Sequence, residues 1–285
     1  MLVALALAVV YGASEVRIRR TYEVDPGSVA IPAGAAALQA GEHLSVVRGC
    51  VDCHGADLGG TVFIDEQPMA RLTATNLTRG RGGVGERYSD TDWVRAIRHG
   101  VAPDGRPLLF MPSHEFHPLG DEDVGALVAY LKSLPAVDRD LPTSSVGPLG
   151  RALFLAGELP LLPAEMIDHG APRSLPPAKG PTAEYGGYLA TGCTGCHGPG
   201  FSGGKIPGTP PDWVPAANIT PDPATGIGGW TERDFFRAMR EGKRPDGSDL
   251  DPIMPWKGLG RMTDMELQAL WAYLRTVPAK PLGGR

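Results

Sequence analysis

One pentapeptide, repeated, limits what this chain can fold into: Cys50-Val-Asp-Cys-His54 returns 143 positions later as Cys193-Thr-Gly-Cys-His197. The similarity continues well past the motif. A Gly-rich turn follows each copy, Gly55 to Gly60 and Gly198 to Gly204. Asn76-Leu-Thr then matches Asn218-Ile-Thr, Gly83-Val-Gly matches Gly226-Ile-Gly, and Asp92-Trp-Val-Arg-Ala-Ile-Arg matches Asp234-Phe-Phe-Arg-Ala-Met-Arg. Pro103-Asp-Gly matches Pro245-Asp-Gly, and Met111-Pro matches Met254-Pro, each methionine standing 61 residues after the first cysteine of its half. An offset that strays by one residue and returns to register marks two copies of one domain. With 285 residues, each copy has enough chain for a core of its own.

Both copies read as helical. Ser89 and Thr231 are N-cap candidates, each followed three residues later by an acid, Asp92 or Asp234, placed to bond back to the cap. The last helix of each copy carries an apolar stripe, Val124, Leu127, Val128, Leu131 and then Leu267, Leu270, Trp271, Leu274, and Pro135 and Pro278 stop the two helices. No alternating strand pattern stands out, so the expected fold class is all-α. Between the copies, residues 139 to 181 hold eight prolines and read as a linker, in which Leu149 to Gly157 is apolar enough for a short packed helix. The expected divisions are 1–22, an N-terminal apolar anchor or signal segment; 36–138, the first domain; 139–181, the linker; and 182–280, the second domain. The uncharged stretch Met1 to Ser14 is shorter than a usual membrane span and is followed by Arg17, Arg19 and Arg20. A net charge of -5 with no long run of like charge makes nucleic acid an unsuitable partner.

All four cysteines of the chain fall in the two C-x-x-C pairs. In C-x-x-C-H the thiols lie one helical turn apart and can each form a thioether with a haem vinyl group, with the adjacent histidine under the iron. Two competing readings are weaker. A thioredoxin-like redox pair expects a βαβ setting, and a zinc site expects four ligands in one compact module. The expectation is two covalently bound haem c groups, on Cys50, Cys53 and His54 and on Cys193, Cys196 and His197. Of eight methionines only Met111 and Met254 recur in register, each before a proline, and they are the expected sixth ligands. His114 and His117 are close enough in sequence to replace Met111. Arg98 and Arg240 read as an exposed helix face or as partners for haem propionates, Asn76 and Asn218 as propionate donors or turn formers, and His43, His99 and His169 as surface residues. Iron with both axial sites filled suits one-electron transfer better than catalysis.

With these residues in view, the chain resembles the diheme c-type cytochromes built from two class I cytochrome c domains. The resemblance spans residues 36 to 280 and includes the run Asn-Ile-Thr-Pro-Asp-Pro-Ala-Thr-Gly-Ile-Gly-Gly-Trp from Asn218. The chain is also similar to the cytochrome subunits of membrane-bound alcohol and gluconate dehydrogenases, which usually carry three haems where this chain has two motifs. The resemblance implies a small helical domain around each haem and attachment on the periplasmic side of a bacterial inner membrane, with the N-terminal segment as anchor. It implies redox partners: a donor dehydrogenase or quinol-oxidising complex, and an acceptor oxidase or soluble cytochrome. The competing class is a diheme enzyme, a thiosulfate dehydrogenase or a cytochrome c peroxidase. The former commonly uses a distal cysteine, and none is left over here.

Overall fold

The helices begin where the sequence signals a start, in a computed structural model that describes residues 1–173, 175–209 and 212–284. By proximity the chain forms two units, one of Met1–Leu44, Cys50–His117 and Asp121–Pro172, the other of Ser45–Gly49, Pro118–Gly120 and Arg173–Arg285. In chain order up to residue 172 the elements are α1 (Leu2–Ile18), α2 (Ala35–Val47), α3 (Cys50–His54), β1 (Thr61–Glu66), β2 (Ala70–Ala74), α4 (Asp90–His99), α5 (Ser113–Phe116), α6 (Asp121–Ser133), β3 (Ser145–Val146) and α7 (Pro148–Ala156), then a 3-10 turn, Pro163–Met166. Beyond it come α8 (Ala183–Leu189), a 3-10 turn (Ala190–Cys193), α9 (Thr194–His197), α10 (Glu232–Glu241), α11 (Trp256–Leu259) and α12 (Asp264–Leu274).

Both expected capping boxes form. The Asp92 N–H donates to Ser89 Oγ at 3.2 Å while the Asp92 carboxylate accepts the Ser89 N–H at 3.0 Å; Thr231 and Asp234 repeat this at 3.2 and 2.9 Å. The sequence reading missed a third box, Thr263 with Glu266, which starts α12. The apolar stripes face inward: Val124, Leu127, Val128 and Leu131 on α6 and Leu267, Leu270 and Leu274 on α12 are all buried. In each unit this last helix meets the helix before the cysteine motif at a glycine. A Cβ on Gly41 would stand 2.1 Å from the Ala126 carbonyl oxygen, and one on Gly186 would stand 1.9 Å from that of Ala269, so only glycine permits the approach.

The fold is all-α in its two main bodies, with one addition the periodicity did not reveal. A three-stranded antiparallel sheet, in the order β1-β2-β3, pairs Thr61 with Ala74, Glu66 with Ala70, and Ala70 with Val146. Its signal is weak for physical reasons: β1 is interrupted by an irregularity between Val62 and Ile64, and β2 is built from Ala, Arg, Leu, Thr and Ala, poor in β-branched residues.

By proximity the stretch read as a linker groups with the first unit as far as Pro172. The short helix expected at Leu149 to Gly157 is α7, with Pro148 in its first turn and Gly157 closing it at φ 80°. Phe154 of α7 packs with Ala70, Leu72, Val146, Leu159, Leu161 and Leu162 in a buried cluster.

The expectation of an N-terminal membrane-spanning anchor is corrected by the structure. Among the described residues no helix is long and apolar enough to cross a membrane, and α1 has 17 residues. The C-terminal end of α1 is tied into the first unit by polar contacts. Arg17 Nε donates to Glu165 at 3.1 Å and its guanidinium lies 4.0 Å from the Phe154 ring centre; Arg151 bonds the buried Ser14 hydroxyl at 2.8 Å and pairs with Glu15 at 2.8 Å.

Candidate haem-attachment sites

In the first unit Cys50, Cys53 and His54 all lie on the single turn of α3; in the second, Cys193 closes a 3-10 turn directly before α9, which carries Cys196 and His197. None of the four cysteines is in a disulfide. Residues three apart on a helical turn share a face, so each thiol pair can meet one edge of a flat ligand. The histidines show what that ligand requires. His54 Nδ1 lies 2.7 Å from the Thr75 carbonyl oxygen, and His197 Nδ1 lies 2.7 Å from that of Ala217. An Nδ1–H donated to the carbonyl fixes the ring and leaves the Nε2 lone pair for a metal. Burial, which favours the neutral imidazole, pushes the His54 pKa down against a smaller opposing effect of the Thr75 hydrogen bond.

The backbone that delivers those carbonyls is the same twice over. The Gly60 N–H donates to the His54 carbonyl at 2.8 Å and the Gly203 N–H to that of His197 at 2.9 Å. Leu58 and Phe201 both adopt left-handed φ, 54° and 59°, and their carbonyls accept the N–H groups of Leu77 and Ile219, each at 2.9 Å. The methionine loops match as well. Pro112 and Pro255 precede α5 and α11 at φ -77° and -78°, and the carbonyls of Met111 and Met254 accept the Ser113 and Trp256 N–H groups, each at 2.7 Å. Both methionine side chains are half-buried.

These features suit haem and disfavour the two rivals. Burial, and then the neighbouring Asp52 charge, push the Cys53 thiol pKa up, the reverse of what a redox-active thiolate needs. Among the described residues no group of three or more His, Cys, Asp or Glu could hold a metal ion by itself, as a zinc site would.

The family model for cytochrome c matches residues 38–135 and again 183–278. The chain belongs to the cytochrome c family. It is a two-domain member of the diheme c-type kind. It is 39% identical over 288 residues to the gluconate 2-dehydrogenase cytochrome c subunit of Pantoea cypripedii, covering 87% of this chain and 61% of that protein. It is 28% identical over 305 residues to the fructose dehydrogenase cytochrome subunit of Gluconobacter japonicus, covering 99% of this chain and 60% of that one. The chain thus spans about three-fifths of the length of these subunits. Reduced recombinant cytochrome c4 from Pseudomonas stutzeri is a solved structure similar to it, at 22% identity and a TM-score of 0.25, covering 86% of this chain and all of that one.

Around these cytochrome c motifs several polar residues take roles the sequence left open or misplaced. Asn76 and Asn218 form turns: each side-chain oxygen accepts the N–H and hydroxyl of the threonine two residues on, and each amide donates at 2.7 Å to a carbonyl, Val137 or Lys280. Arg98 is not on an exposed face; it is 1% exposed and pairs with Asp121 at 2.7 Å. Arg240 pairs likewise with Asp264 at 2.6 Å, so in both domains this arginine holds the first residue of the last helix. His99 is buried, not a surface residue, and its Nδ1 lies 3.0 Å from Nδ1 of the half-buried His169. His117 directs Nδ1 at the Arg98 carbonyl, 3.2 Å away, and burial pushes the His114 pKa down. The His99–His169 contact had no sequence signal, because the two residues are 70 positions apart and neither recurs in the repeat.

Proposed function

We propose that each C-x-x-C-H motif carries one haem c through two thioethers, with His54 and His197 as proximal and Met111 and Met254 as distal ligands. The chain then relays electrons one at a time between a donor, a dehydrogenase or quinol-oxidising complex, and an acceptor oxidase or soluble cytochrome. The two haem domains are taken as 36–138 and 182–280. The observation that carries this reading is the twofold recurrence of one geometry: an imidazole held at 2.7 Å by a backbone carbonyl, and a Met-Pro turn closed by a 2.7 Å bond to the methionine carbonyl.

When bound, haem iron supplies exchange of single electrons. The protein's part is to set the terms. Thr75 and Ala217 hold the imidazole rings in orientation and raise their basicity as ligands through the Nδ1–H bond. Soft thioether ligation favours reduced iron and raises the potential, as suits a relay. All four cysteines are assigned to attachment, which leaves no distal cysteine ligand of the kind thiosulfate dehydrogenases commonly use. The named relatives are cytochrome subunits of sugar-acid and sugar dehydrogenases, which favours a dehydrogenase as donor.

Optical spectra of the ferric protein test the ligation. The weak far-red charge-transfer band of Met-ligated haem is expected from both domains, and Met111→Ala and Met254→Ala should each remove about half of it. An unchanged band in either variant refutes that methionine as ligand.

A further inference from the structure

The two methionine loops match in their own turns but differ in what lies behind them. Phe110, directly before Met111, has φ 62°, a left-handed conformation that a bulky residue keeps only where its surroundings impose it. The imposing contact is visible: the Phe110 N–H donates at 2.8 Å to the carbonyl of Leu161, a residue with 0% exposure. The Phe110 ring lies 5.9 Å from that of Phe63 on β1, and Leu109 and Phe110 both pack on the cluster of Leu72, Val146, Phe154, Leu161 and Leu162. That cluster is itself anchored, by the β2–β3 pairing and by the Arg17–Glu165 ion pair next to Leu162. The counterpart of Phe110 is Ile253, which is 41% exposed. Both loops share one tie to the preceding helix, Leu108 N–H to the Gly100 carbonyl and Leu250 N–H to that of Gly242, each at 2.7 Å, but at the methionine itself the second loop bonds locally: the Ile253 N–H goes to its neighbour Asp251 Oδ1 at 2.9 Å, and the Met254 N–H to the Asp251 carbonyl at 3.0 Å.

We infer that the segment around Leu161 is a brace for the Met111 loop, with Phe110 as the positioning residue, and that Met254 is the more readily displaced of the two axial methionines. The inference rests on the methionine ligation proposed above. A ligand exchanges when its loop swings aside, and the population of that open state rises as buried contacts and hydrogen bonds behind the loop are removed. The Met111 loop must give up the Leu161 bond and the packing of two apolar side chains to open. Among the described residues, Ile253 and Met254 give up bonds within their own turn. The two haems therefore differ in how easily an outside ligand reaches iron, although their coordination is the same.

Imidazole added to the full ferric chain with both haems attached decides the matter, read by the far-red methionine band. The expected result is loss of the band in two equal steps separated by about tenfold in imidazole, the size of one net hydrogen bond with its packing. The step at low imidazole should be missing in Met254→Ala and the step at high imidazole missing in Met111→Ala. Phe110→Ala should bring the second step down toward the first and leave the first in place. A single step, or departure of Met111 first, overturns the brace while leaving the ligation intact. A Met254→Ala protein with no far-red band before imidazole is added refutes Met111 as ligand, and the brace falls with it. Should Phe110→Ala fail to mature, the wild-type steps assigned by the two methionine variants still decide.

Discussion

Asn76 joins two segments of backbone with one buried side chain: its oxygen accepts from Thr78 twice and its amide donates to the Val137 carbonyl, 61 residues away. Replacement by alanine leaves the buried Thr78 N–H without its acceptor and the Val137 carbonyl with only the Thr78 hydroxyl at 3.3 Å, and should lower stability by about 1–3 kcal/mol in urea unfolding. Asn76→Asp retains the acceptor and loses the donor, so it should fall in the same direction; Asn218 in the second domain should respond alike. The Asp57–Arg139 pair at 2.8 Å gives a pH-dependent test at the same scale. The Arg139 hydrogen bond, helped by the Gly59 N–H, holds the Asp57 carboxyl below its usual range. Because the folded value is the depressed one, the stabilisation is present above the ordinary carboxylate pKa and is lost as pH falls through the folded value. Both groups are more than a third exposed, so the effect is about 0.5 kcal/mol and weakens in salt. Urea midpoints of wild type and Asp57→Asn should differ near neutral pH and converge in acid; a difference that persists in strong acid contradicts this origin.

Helices α4 and α10 were readable because each has its own local signal, a capping residue with an acid three places on and a glycine at the far end, and α6 and α12 because each carries an apolar stripe. Doubling the signal by the repeat made it firmer still. Close contacts between helices were not readable, since nothing near Gly41 or Gly186 in sequence announces the carbonyl that would lie 2.1 or 1.9 Å from a Cβ at those positions. Gly186→Ala should therefore cost about 1–3 kcal/mol in thermal or urea unfolding, as overpacking does, where a solvent-facing helical Gly→Ala change would stabilise. The sheet was hidden for a related reason. Strands β2 and β3 acquire their meaning from pairing between residues far apart in sequence, such as Ala70 and Val146, and a proline-rich stretch that reads as a spacer contributes Leu153, Phe154, Leu159, Leu161 and Leu162 to the same cluster. Truncating the phenylalanine, Phe154→Ala, should destabilise the first domain by about 3–5 kcal/mol in urea unfolding and leave the second nearly unchanged; equal loss in both domains would contradict the assignment of this cluster to the first unit.

At the scale of the whole molecule, the repeat in the sequence, the repeated family match and the repeated geometry describe the same object, a cytochrome c domain used twice. The gathering of Cys50, Cys53 and His54, and of Cys193, Cys196 and His197, onto one short turn each was legible from the C-x-x-C-H spacing, while the arginine and asparagine roles were not, because a side chain alone does not reveal which partner it meets. The central claim is that both motifs carry covalent haem. Denaturing mass spectrometry of the mature chain tests it most directly. The account predicts a mass equal to the polypeptide plus two haems, falling to one haem in Cys50→Ala/Cys53→Ala and again to one in Cys193→Ala/Cys196→Ala. A bare polypeptide mass, or a single haem that survives loss of either pair, would contradict it.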